Sequence, residues 1–249
     1  MVLQEESVDL ATATGSMRTY VYRPVAPGRY PGLIFYSEIF QRTGPIKRAA
    51  AMMAGHGFVV AVPEIYHELE PAGTELPYDP AGTEAGNRHK VARPTSVYDD
   101  DARATIRHLA SLPACTGRLG AMGICIGGHL AFRAALHPEI RAGACFYATD
   151  LHSRTLGQGG DDTLARAGEI RGEMLMVWGR QDPHIPLEGR LLIYQRLSAA
   201  GVHFTWHEFN GAHAFMRDEG ARYDPALALI GYRLAIDLFA RTLATGGAS

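Results

Sequence analysis

Arg118-Leu-Gly-Ala-Met-Gly-Ile-Cys125-Ile-Gly-Gly-His129-Leu-Ala-Phe132 is the stretch that decides the fold of this chain. The run up to Ile124 is apolar enough for a buried β-strand. It enters Gly123-Ile-Cys125-Ile-Gly127 and then returns to a helical pattern. Strand, G-x-C-x-G and helix in that order form a nucleophile elbow, a sharp turn that lifts one reactive side chain above the end of a sheet. A side chain at Gly123 or Gly127 would collide across so tight a turn. The reactive atom here is a sulfur. Taken alone, the string describes a small buried thiol at a strand end equally well.

Working outward, the pattern alternates strands with helices. Asp9–Thr14 and Arg18–Arg23 read as an antiparallel hairpin turned by Thr14-Gly15-Ser16. Gly32–Ser37, Phe58–Val62, Leu119–Ile124, Ala142–Tyr147, Glu173–Trp178 and His203–Phe209 read as strands. Pro45–His56, Val97–Leu112, the elbow helix to Leu136, Leu187–Ala200 and Pro225–Thr245 read as helices. Residues Pro63–Ser96, rich in Pro, Gly, Asp and Glu, read as a long loop that caps a site. This order predicts one α/β domain over residues 1–249. Its sheet is mainly parallel, of about seven or eight strands, with helices on both faces and antiparallel strands at the N-terminus.

Composition sets the bounds. The 249 residues are 47% hydrophobic, enough for a sizeable core. Charge is balanced, 24 basic against 26 acidic residues, and no basic stripe suggests a nucleic acid. Met1-Val-Leu-Gln-Glu-Glu6 lacks the basic and apolar start of a signal peptide, and no apolar run is long enough for a bilayer. Cys115, Cys125 and Cys145 have neither disulfide-framework nor metal-site spacing. A reducing cytoplasm is the expected setting, one in which an exposed thiol survives.

Two further loops turn the elbow into a constellation. Gly179-Arg-Gln-Asp182-Pro follows the strand Glu173–Trp178, and Asn210-Gly-Ala-His213 follows His203–Phe209. Nucleophile, acid, histidine is the chain order of α/β-hydrolases, and each residue falls just past a strand. The expected chemistry follows. His213 takes the thiol proton, Asp182 orients the imidazole, and the Cys125 sulfur attacks an ester carbonyl to form a thioester that water then cleaves. The N–H groups of Ile39 and Ile126 are the expected oxyanion donors.

With Ser37-Glu-Ile-Phe40, the G-I-C-I-G-G elbow, the W-G-x-x-D-P loop at Asp182 and His213-Ala-Phe-Met-Arg217, nearly the whole chain resembles the dienelactone hydrolase family. The resemblance implies an α/β-hydrolase fold without a separate lid domain, and no metal or organic cofactor. It implies hydrolysis of 4-carboxymethylenebut-2-en-4-olide to maleylacetate. It also implies that Glu38 takes the thiol proton and that Arg217 binds the substrate carboxylate. Burial would suit Glu38 to that task by raising its pKa, and a guanidinium suits a carboxylate. A second substrate-binding arginine of the family falls within Pro63–Ser96. Arg88, Lys90 and Arg93 are candidates there, Arg88 being favoured.

Tyr147 and His67, each near a strand end, are further pocket candidates, as are Asp150 and His152. His129 is expected to pack or cap, and His56, His184 and His207 to be ordinary polar residues. The expected partner is a small carboxylate-bearing lactone or ester, without nucleic acid or membrane, acted on by a monomer or homodimer. A broader carboxylesterase or thioesterase, a noncatalytic ligand-binding member and a thiol redox sensor are the alternatives.

Overall fold

The computed structural model describes residues 1–244, and position 245 of the last expected helix lies outside them. Eight strands form one sheet, β1 (Leu3–Thr12), β2 (Gly15–Pro24), β3 (Tyr30–Tyr36), β4 (Val59–Pro63), β5 (Cys115–Ile124), β6 (Ile140–Phe146), β7 (Glu173–Gly179) and β8 (Phe204–Phe209). Their order is β1-β2-β4-β3-β5-β6-β7-β8. β1 and β2 pair antiparallel, as do β2 and β4, and all the other pairs are parallel. This is the α/β-hydrolase fold, with no separate lid domain among the described residues.

The central strands are buried on both faces, which is why they read as unbroken apolar runs. Adjacent residues of β5 point to opposite helical layers. A side chain at Gly120 would meet Phe239 of α6 (Pro225–Leu243). Leu119 lies beside Gly32, against Leu109 of α3 (Thr95–Ser111). β1 is an edge strand and carries Glu5, Glu6 and Asp9 in exposed positions, charges that discourage further strand pairing. Its hairpin turns at Ala13 and Thr14, one residue ahead of the start of the expected Thr14-Gly15-Ser16 turn.

The segment Pro63–Ser96 is not a structureless loop. It contains α2 (Pro80–Ala92), capped by Asp79, whose carboxylate accepts the Gly82 N–H at 2.8 Å. The helix escaped the apolar pattern because Gly82, Gly86 and His89 form its buried face. It packs by close backbone approach: a Cβ at Gly86 would lie 2.5 Å from the Ile39 carbonyl oxygen. Asp79-Pro80, an N-cap followed by proline at the first helical position, was the available sign.

Candidate active site

β5 runs into α4 (Ile126–Ala134) through Cys125, which adopts φ 59° and ψ −127°. A residue with a Cβ is strained there, and its neighbours hold it. The Cys125 N–H donates to the Phe146 carbonyl at 3.1 Å, and its own carbonyl accepts from Gly128 at 3.0 Å and Thr149 at 3.3 Å. Added Cβ atoms would lie 2.0 Å from the Gly127 oxygen at Gly123, and 2.3 Å from the Tyr36 oxygen at Gly127. The second contact wedges the turn against the end of β3.

The loops after β7 and β8 are laced together. Arg180 N–H donates to Phe209 O at 2.8 Å, and Gln181 N–H to Gly211 O at 3.0 Å. Asp182 spends Oδ1 on the His184 amide at 2.8 Å, which leaves Oδ2 for His213 Nδ1 at 2.6 Å. Ionised Asp182 can only accept, so Nδ1 carries the proton and Nε2 is left for proton exchange. Burial alone would make His213 less basic. The nearby Cys125 sulfur, followed by the Asp182 hydrogen bond, outweighs burial and raises the pKa of His213 to about 10. Tyr147 and His184 press edge-on against the imidazole, with ring centroids 5.1 Å and 4.6 Å away.

Glu38 follows β3 and is 2% exposed. Burial raises its pKa, opposed by Arg217, His213, Tyr78 and Arg222. Tyr78 donates to Oε2 at 3.1 Å, and Arg217 Nη1 lies 3.7 Å from Oε1. Ile126 opens α4, so its amide has no partner within the helix. The Ile39 amide makes no backbone hydrogen bond among the described residues. Cys125, His213, Glu38, Ile39 and Arg217 border one cavity of about 250 Å³.

The model of the dienelactone hydrolase family matches residues 17–243. The chain belongs to the dienelactone hydrolase family. A Saccharomyces cerevisiae protein provisionally named a carboxymethylenebutenolidase is 43% identical over 241 residues, covering 91% of this chain and 88% of the yeast protein. A carboxymethylenebutenolidase of a Pseudomonas species is 26% identical over 233 residues, with 90% of each chain covered. The crystal structure of a Klebsiella pneumoniae protein provisionally named a dienelactone hydrolase superposes with a TM-score of 0.85. It is 22% identical and covers 97% of this chain and all of its own, a likeness of fold. As a dienelactone hydrolase family member, the chain is a hydrolase of ester or lactone bonds.

Within this family frame, several expected residues fall elsewhere. Arg88 lies on the outer side of α2 with its side chain 62% exposed, 3.8 Å from Glu84, and does not border the cavity. Lys90, two residues on and so on a different face, does border it, with both Asp150 carboxylate oxygens 2.9 Å from Nζ. Arg93 is buried against Asp101 and Glu68. His67 is spent on Asp101 at 3.2 Å, away from the cavity. Tyr147 supports His213 from behind and does not line the cavity. Asp150 and His152 do line it. His184, expected to be an ordinary polar histidine, lines it too.

His129 packs as expected, with Nδ1–H donating to Thr149 O at 3.1 Å and Nε2 accepting from the Thr163 hydroxyl at 2.8 Å. Burial first, then Arg133, lowers its pKa to about 4, so it is neutral. Thr83, Asn87 and Arg222, which line the cavity, were missed, as was Tyr78, which binds Glu38, since no local motif marks residues brought to a site only through tertiary packing. Among the described residues, no group of three or more His, Cys, Asp or Glu side chains is placed to hold a metal ion. No helix there is long and apolar enough to cross a membrane.

Proposed function

We propose that this chain hydrolyses a carboxylate-bearing lactone through a cysteine nucleophile, the unsaturated dienelactone being the substrate class and maleylacetate its product. The observation that carries this reading is the 2.6 Å Asp182–His213 pair, whose imidazole borders the same cavity as a sulfur held at positive φ. Glu38 or His213 takes the Cys125 proton. The thiolate adds to the lactone carbonyl, and the developing oxyanion is met by the Ile39 and Ile126 amides. Collapse breaks the ring C–O bond and leaves a thioester, and the enolate so freed takes from Glu38 or His213 the proton that left Cys125. Water, deprotonated by His213, then releases the acid and regenerates the thiol. Arg217 faces the substrate carboxylate in this reading.

A second reading, a broader esterase or thioesterase, is favoured by one feature. Lys90 and Arg217 already face carboxylates, Asp150 and Glu38, so an anionic substrate must compete for them. Turnover of the dienelactone beside a panel of neutral aryl esters separates the two. Cys125→Ala is expected to lose at least about a thousandfold in kcat, and wild type to carry an acyl adduct on Cys125 by mass spectrometry. Full activity in Cys125→Ala would sink the mechanism.

A further inference from the structure

Thr43 occupies the N-cap of α1 (Gly44–Gly55) and belongs to a residue type that normally caps with its side chain, yet it makes no capping hydrogen bond. Its hydroxyl lies 2.6 Å from the Tyr78 hydroxyl instead. The Tyr78 hydroxyl in turn lies 3.1 Å from Glu38 Oε2. An ionised carboxylate can only accept. Tyr78 therefore donates to Glu38, and Thr43 donates to Tyr78, so that each bond polarises the next.

The ring of Tyr78 is fixed as well. It meets Phe40 edge-on at 4.7 Å, and the Arg217 guanidinium sits 4.4 Å over its face. The segment that carries it is pinned to the loop after β3. Leu76 N–H donates to Phe40 O at 3.1 Å, Gln41 Nε2 to Thr74 O at 3.0 Å, and Tyr66 N–H to Gln41 Oε1 at 3.3 Å. A helix cap has been given up, and a tyrosine locked in place, at one buried carboxylate.

We propose that Thr43 and Tyr78 form a hydroxyl relay that aims Glu38 and favours its carboxylate form. Tyr78 is thus a positioning residue for the proton acceptor, and the inference rests on the role given to Glu38 above. The groups facing Glu38 are Tyr78, Tyr147 after β6, Tyr232 on α6 and, from the loop after β8, Arg217, His213 and Arg222. Of these, Tyr78 is the neutral donor, and Arg217 stands off at 3.7 Å. Without the Tyr78 hydroxyl, burial is less opposed and Glu38 holds its proton to higher pH.

Tyr78→Phe keeps the ring against Phe40 and Arg217 and removes only the hydroxyl. The acid limb of kcat/KM for the dienelactone is expected to move to higher pH by about one unit. Thr43→Val is expected to move it the same way by less. A Tyr78→Phe profile that superimposes on wild type overturns the proposal. If wild type turns over no ester at all, the catalytic reading fails and the relay is decided separately, by 13C NMR titration of the Glu38 carboxyl in Cys125→Ala, with the signal assigned through Glu38→Gln. In that background, Glu38 titrating about one unit higher with Tyr78→Phe upholds the relay, and an unchanged titration overturns it.

Discussion

At the scale of single residues, Cys125 carries a conformational cost that its chemistry requires. Its φ of 59° with ψ −127° is a conformation that only glycine adopts freely. Cys125→Gly is therefore expected to be more stable than Cys125→Ala by about 1–2 kcal/mol, read as the difference in urea unfolding free energy. Neither variant should turn over substrate. The Cys125 sulfur and then Asp182 hold His213 in its protonated form. In the free enzyme His213, raised to about 10, should remain an imidazolium across the neutral range, and Asp182→Asn should bring its titration down. Imidazole NMR shifts followed from pH 5 to 11 check the sign. A folded pKa above the unfolded value of about 6.5 means that the stabilisation is complete below that pH. It disappears as pH rises through about 10.

At the scale of elements, α2 is held by glycine. Gly86 lets the helix touch the Ile39 backbone, and Tyr66 adds a hydroxyl bond to the Gly86 carbonyl at 3.1 Å. Gly86→Ala should push the helix off the loop that presents the Ile39 amide. The expected result is a fall in kcat of about tenfold or more, with a stability loss of about 1–3 kcal/mol. A variant with unaltered kcat would show that the α2 contact does not position this amide. Gly127→Ala tests the other wall of the site. Its Cβ would meet two carbonyl oxygens, of Tyr36 at 2.3 Å and Ser37 at 2.5 Å, with no flexible side chain to yield. Unfolding should show a loss of about 3 kcal/mol or more, the upper end for overpacking. Both glycines are legible as glycines in the sequence, but only Gly127 lies in a motif that says what it does.

At the scale of the whole molecule, a buried polar network joins the helical layer to the loop beneath the site. Arg133 on α4 binds Asp99 on α3 at 2.8 and 2.9 Å, Asp161 at 2.6 Å and the Thr163 hydroxyl at 2.7 Å. Thr163 continues to His129, and His129 to the Thr149 carbonyl, whose residue borders the cavity and whose N–H holds the Cys125 carbonyl. Arg133→Ala strands Asp99 among buried groups with, among the described residues, only Arg166 in reach at 3.3 Å. The expected cost is about 3–5 kcal/mol in urea unfolding. A loss under about 1 kcal/mol would mean that Arg166 and water replace the pair.

By itself the sequence determined the alternation of strands and helices, the elbow, and the order Cys125, Asp182, His213. These depend on local properties: apolar runs, glycines at a steric turn, and polar residues just past strand ends. The parallel sheet then carries those strand ends to one edge, so position along the chain translates directly into position in the site. Glu38 and Ile39 were legible for the same reason, since they too follow a strand. Only the tertiary structure decided the remainder of the cavity. Lys90 rather than Arg88 borders it because α2 turns about 100° per residue, and nothing in its glycine-lined sequence marks the inward side. Arg222 enters the cavity, and Tyr78 reaches Glu38, from segments without periodicity, and the diversion of Thr43 from its helix cap depends on a partner 35 residues away.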